Sequence, residues 1–117
     1  MAVGGNDSPA RVTLDRHVYE PAWQRQVLEL ARLHRWAAYH PYDSRRSEAG
    51  WPDLAMCRPP RLLLVELKST TGRLSKAQRR WLDLLGACPG VEVYCWRPAD
   101  WDEVVRVLAA VKGTADP

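Results

Sequence analysis

The feature that most constrains this chain is the run Arg61-Leu62-Leu63-Leu64-Val65-Glu66-Leu67-Lys68, apolar on both faces and charged where it closes. Such a run reads as a strand covered on both sides. Side chains alternate along a strand, so Glu66 and Lys68 project to the same side. Burying a carboxylate and an ammonium there is costly unless they pair or bind a metal. If Asp53 to Arg58 forms the preceding strand and Pro59-Pro60 lies in the turn, Asp53 returns beside Glu66 as its hairpin partner. Two carboxylates and one ammonium then converge.

That trio has a chemical use. Asp53 and Glu66 offer hard oxygen ligands suited to Mg²⁺, which keeps several waters and so leaves room for a phosphate oxygen and an attacking water. Lys68 beside them is a compact cation able to orient the water or offset charge building on a phosphate. Taken singly, Asp53 also reads as a turn residue and the Glu66-x-Lys68 pair as a solvated strand face. Their conjunction on a doubly buried strand favours the metal reading.

Gly50-x-Pro52-Asp53, twelve intervening residues and then Glu66-x-Lys68 resembles the PD-(D/E)xK nuclease signature. The flanks narrow the likeness: Asp43-Ser44-Arg45-Arg46-Ser47 before it, Ser75-x-x-Gln78 after it, and Val93-Tyr94-Cys95-Trp96-Arg97-Pro98-x-Asp100 near the end. Together they resemble the virus-type replication-repair nuclease (VRR-NUC) domain in its stand-alone form, from about Tyr19 to Leu108. The resemblance implies an α/β restriction-endonuclease-like fold with a central mixed sheet flanked by helices. It implies a Mg²⁺-dependent DNA endonuclease, with Mn²⁺ able to substitute, acting as a homodimer on branched DNA such as Holliday junctions. By the same resemblance the Leu67 carbonyl joins Asp53 and Glu66 as a metal ligand. Glu20 lies near the metal in that family, as does the glutamine at Gln78.

Length and composition agree with one domain. The 117 residues are enough for one core and too few for a second catalytic module. Residues 15–112 are expected to form it, between tails at 1–14 and 113–117. A net charge of +3 suits a nucleic-acid partner without requiring one. The cations Arg45, Arg46, Arg73, Lys76, Arg79 and Arg80 flank the motif, although the last two read equally as a solubilising face. Cys57, Cys88 and Cys95 lack paired spacing and read as buried thiols in a reducing compartment; His17, His34 and His40 show no metal spacing. No apolar run reaches membrane-spanning length and the first residues lack a signal pattern, so a cytoplasmic protein of a bacterial or phage-infected cell is expected.

Along the chain, a first helix is expected from near Glu20 to about His34, with Pro21 in its first turn and Trp23, Val27, Leu30, Ala31 and His34 on the packed face. Glu20 falls within that apolar arc, which makes it a functional candidate; an anion at a helix N-terminus is the other reading. Gln24 matches the resemblance as well, but reads more safely as helix surface. Trp36 to His40 is a short strand. The arginine-bearing loop after it offers Ser44, Arg45 and Arg46 as phosphate contacts, or is simply a polar loop.

Gly50-Trp51-Pro52 forces a turn that presents Asp53. A helix follows from Ser75 to about Cys88, its stripe Ala77, Trp81, Leu84, Leu85 and Cys88. Ser75-x-x-Gln78 satisfies a capping box, which accounts for Gln78 without chemistry. Val91 to Trp96 is a fourth strand, and Asp100-x-x-Glu103 caps a last helix with Val104, Val105, Leu108 and Val111 inward. The rival functions are a nuclease of the same fold acting on flap or duplex DNA, and a non-catalytic DNA-binding module. Asp53, Glu66 and Lys68 together weigh against the last, since binding alone needs no carboxylates facing phosphates.

Overall fold

The computed structural model describes residues 9–41 and 48–111, with the backbone alone over 9–20. Helix α1 (Pro9–Leu33) leads to β1 (Ala37–Tyr39), β2 (Leu54–Arg58) and β3 (Arg61–Leu67); α2 (Lys76–Gly86), β4 (Val91–Trp96), a single 3-10 turn (Pro98–Asp100) and α3 (Trp101–Ala109) follow. The four strands lie in the order β1-β2-β3-β4. The first two pairings are antiparallel and β3 with β4 is parallel, because α2 carries the chain back across the sheet. Mixed sheet and flanking helices match the expected architecture. One boundary differs: α1 starts at Pro9 and holds Pro21 in its interior, not in a first turn opening near Glu20.

Alternation along the strands sorts the two faces. Leu54, Met56, Leu63, Val65, Leu67 and Trp96 face the core, against Trp23, Val27, Leu28 and Ala31 of α1 and Val104, Val107 and Leu108 of α3. Removing a side chain such as Leu63, which is fully buried, should cost about 2–5 kcal/mol. On the opposite face Leu64 and Glu66 are also buried but Leu62 is exposed, so β3 is covered on both sides only over its second half, less than its sequence implies.

Helix α2 packs against β4, yet none of its residues is fully buried. Ala77, Trp81 and Leu85 are half-buried whereas Leu84 and Cys88 are exposed, which corrects the expected stripe: the helix rests on the sheet edge, and among the described residues nothing closes over its outer flank. In α3 the buried residues are Val104, Val107 and Leu108, while Val105 and Val111 are exposed. The short helix turns a narrow stripe to the core, and Val111 lies past its end. The thiols are corrected too, since Cys57 and Cys88 are exposed and Cys95 half-buried.

The end of β3 remote from Glu66 is a structural junction. Arg61 is buried, its guanidinium bonded to both oxygens of Glu92 at 2.7 Å and to the carbonyls of Val107 and Ala110. Arg58 donates to His34, Leu108 and Ala110, and both arginines lie over the Trp36 ring. Cations thereby take up the carbonyls at the end of α3, where the helix dipole favours positive charge.

Candidate active site

The functional end of the hairpin is fixed by register. Leu54 pairs with Val65, so Asp53, one residue earlier, lies opposite Glu66, one residue later. The Leu67 amide donates to Asp53 Oδ2 at 2.8 Å, tying the carboxylate to the strand it faces. Asp53 and Glu66 are close enough to influence each other's protonation. Burial pushes the Asp53 carboxyl above the ordinary aspartate value, and the Leu67 amide, Glu66 and the Lys68 charge pull it back only in part. Two carboxylates this close and this dry favour either a shared proton or a bound cation.

Two further groups meet Glu66. Lys68 Nζ lies 4.0 Å from Glu66 Oε2, and Gln78 Nε2 donates to the same oxygen at 3.0 Å. Gln78 also completes the capping box: its Oε1 accepts from the Ser75 amide at 2.8 Å, and its own amide donates to Ser75 Oγ at 3.1 Å. The cap and the site are served by one side chain, because capping holds the amide head rigidly toward the sheet. Helix α2 is itself pinned. Gly50, at φ 86, approaches the backbone of Ala77 and Gln78 so closely that a Cβ there would fall 2.4 Å from the Ala77 carbonyl carbon.

A pocket opens beside Asp53, lined among others by Gln24, Glu48, Trp51, Pro52 and Gln78. Gln24 therefore belongs to the site surroundings and is not plain helix surface. Beyond Lys68 the loop is tied down by Arg97, whose Nη1 donates to the carbonyls of Ser69 and Gly72, while the Lys68 amide bonds Trp96 O at 3.0 Å. Across from Glu66 on β4 stands Cys95, whose thiol burial pushes upward and so keeps protonated.

Of the candidate residues, Asp53, Glu66, Leu67, Lys68 and Gln78 come together. Arg73 and Lys76 are exposed on the loop into α2 and at its first turn. Glu20 lies on the backbone of α1 with its side chain outside the described residues, and Ser44, Arg45 and Arg46 lie outside them altogether. Sequence reading gave Trp51 and Arg97 no part in the site, and it preferred helix surface for Gln24, which the resemblance places near the metal. The four-residue spacing from Glu20 was a usable signal for Gln24. Trp51 stood two residues before Asp53 and Arg97 in the last flanking motif, but the Arg97 bonds to Ser69 and Gly72 join distant parts of the chain and left no mark in the spacing.

The donor set is two carboxylates with a protonated thiol nearby, which suits a hard divalent cation bound through oxygen. Among the described residues no third His, Cys, Asp or Glu gathers with them.

A hairpin that sets an aspartate against a glutamate, with a lysine two residues on, in a mixed sheet flanked by helices, defines a nuclease domain of the PD-(D/E)xK kind. The chain matches the VRR-NUC domain over residues 13–99 and belongs to that family. No curated protein and no solved structure matches it. Among the described residues no helix is long and apolar enough to cross a membrane.

Proposed function

We propose that this protein is a Mg²⁺-dependent endonuclease, able to use Mn²⁺, that hydrolyses phosphodiester bonds in branched DNA such as Holliday junctions. The observation that carries the reading is the Asp53–Glu66 pair set opposite each other across the hairpin, with Lys68 and Gln78 both on the Glu66 carboxylate.

Asp53 and Glu66 would hold the cation, with the Leu67 carbonyl as the further ligand the family implies and Glu20 as a candidate for another. When bound, the cation polarises the scissile phosphate and lowers the pKa of an attacking water. The Leu67 amide keeps Asp53 in place, and Gln78 does the same for Glu66. Lys68 sits where its ammonium can stabilise negative charge on the phosphate oxygens or orient the nucleophile. Ser44, Arg45, Arg46, Arg73 and Lys76 are the proposed phosphate contacts, positioning the backbone without reading its sequence.

Two copies would suit a substrate with two strands to cut. The exposed Tyr39, Cys57 and Leu62 on β1, β2 and β3 offer an apolar surface for that contact. Exposed thiols at Cys57 and Cys88 favour a reducing compartment, in keeping with the cytoplasm.

The test is cleavage of labelled four-way junction, flap and linear duplex with Mg²⁺, Mn²⁺ or chelator. Asp53→Ala and Glu66→Ala should each abolish cutting, and Lys68→Ala should slow single-turnover cleavage on the order of 10²-fold. Near-normal turnover by folded Asp53→Ala in saturating Mg²⁺ would reject the site. A preference for flap or duplex would reassign the substrate.

A further inference from the structure

Trp51 has no part in holding Asp53, Glu66 or Lys68, yet it stands two residues before Asp53 and lines the same pocket. Its exposure is 36%, large for an indole at the rim of a polar cleft. The surrounding structure holds it in place. Trp51 meets Trp81 edge to face, ring centroids 4.9 Å apart at 79°. Trp81 in turn donates Nε1 to Ala49 O at 3.1 Å, and the close approach of Gly50 to α2 fixes the loop between them. The Arg80 guanidinium lies 5.8 Å from the Trp81 ring centroid.

A T-shaped pair occupies one face of one ring only, so whichever way it is made Trp51 keeps at least one face out of the pair. An aromatic surface with a cation at its side, next to a phosphate-cleaving centre, matches the way proteins take bases out of a helix: the ring stacks on a base and the arginine meets its phosphate. Bases inside an intact duplex present edges to the grooves and keep their faces against one another.

We infer that Trp51, braced by Trp81, which carries Arg80 over its ring, is a stacking platform for an unpaired nucleobase next to the scissile phosphate, so that the enzyme selects DNA carrying an unstacked nucleotide at the cut. This rests on the nuclease reading above and names what that site selects. Holding one base on Trp51 would set the adjoining phosphate at Asp53 and Glu66. Paired DNA, whose faces are already stacked, gains nothing from the ring.

The experiment compares affinity, by fluorescence anisotropy in Ca²⁺, for a duplex with one unpaired nucleotide and for the same duplex with an abasic residue there. Cleavage of both is followed in Mg²⁺. The wild-type protein should bind the unpaired base roughly 5- to 100-fold more tightly than the abasic site. Trp51→Leu, which keeps apolar bulk without a ring, should reduce that ratio to within about twofold, the stacking contribution being gone. Trp51→Phe should retain most of it, and circular dichroism checks that each variant folds. A ratio near one in the wild type overturns the platform, as does an unaltered ratio in folded Trp51→Leu. A change of oligomeric state in Trp51→Leu with the ratio intact also overturns it and marks the ring as a subunit contact. If wild type discriminates in binding but cuts neither DNA in Mg²⁺ or Mn²⁺, the nuclease reading fails and the platform stands. Cleavage without discrimination is the reverse.

Discussion

Replacing Gly50 with Ala should damage both stability and cleavage, by an amount the structure divides into two parts. Gly50 has φ 86, in the left-handed region where a side chain is strained. That conformational cost is about 1–3 kcal/mol. The added Cβ would also lie 2.4, 2.5 and 2.6 Å from backbone atoms of Ala77 and Gln78, which cannot rotate away. Loop or helix must move by about 1 Å to restore an ordinary contact of roughly 3.5 Å, at an overpacking cost of about 1–3 kcal/mol. The total is roughly 2–6 kcal/mol, which lowers the melting temperature of a domain this size by about 8–24 °C.

Gly90 supplies the control. It has φ 82 with nothing within 4 Å of a built Cβ, so Gly90→Ala carries the conformational cost alone. Urea unfolding of both variants, with single-turnover cleavage, separates the contributions. Gly50→Ala should lose about 1–3 kcal/mol more than Gly90→Ala, and it should also slow cleavage, because displacing the first turn of α2 draws Gln78 from Glu66. Equal losses in the two variants would refute the clamp between the loop and the helix.

Burial raises the Asp53 carboxyl above its ordinary value, so the folded state holds that proton more tightly than the unfolded chain; the stability of metal-free protein should fall as pH rises from the ordinary aspartate range through the folded value. Asp53→Asn keeps an acceptor for the Leu67 amide and should be more stable than wild type at pH 7 without metal, an advantage that fades toward pH 4. Mg²⁺ at a hundredfold excess over its dissociation constant should restore about 2.7 kcal/mol to wild type and little to the variant; calorimetry across pH decides, and an Asn variant less stable at pH 7 would contradict the argument. Gln78→Ala should slow cleavage more than Ser75→Ala, since Ser75→Ala loses only the cap, at about 1 kcal/mol; equal rates would deny Gln78 a part in the site. Glu92→Ala leaves the buried Arg61 charge without its carboxylate and should cost about 3–5 kcal/mol in denaturant unfolding, so a loss below about 1 kcal/mol would mean the helix carbonyls suffice.

The sequence by itself determined what local physics can settle. The continuous apolar run of β3, the Pro59-Pro60 turn and simple counting put Asp53 opposite Glu66, and the register bears out that expectation. The number, type and order of the later elements were legible for the same reason, and so was the Ser75–Gln78 cap. Only the tertiary structure decided the rest. It gave Gln78 a contact with Glu66 beyond its cap, and it left Leu84, Cys88, Val105 and Val111 outside a core that periodicity alone had included. Periodicity says which residues share a stripe but not how much of it another element covers. The sharpest case is β3 itself, which carries a buried charge at each end. Arg61 is a structural residue because Glu92 and the carbonyls ending α3 reach it from distant parts of the chain. Glu66 faces Asp53, Lys68 and Gln78 in a site open to the pocket beside Asp53. The energy of a buried charge depends on its partners in space, and sequence spacing carries no record of partners that arrive from another strand or helix.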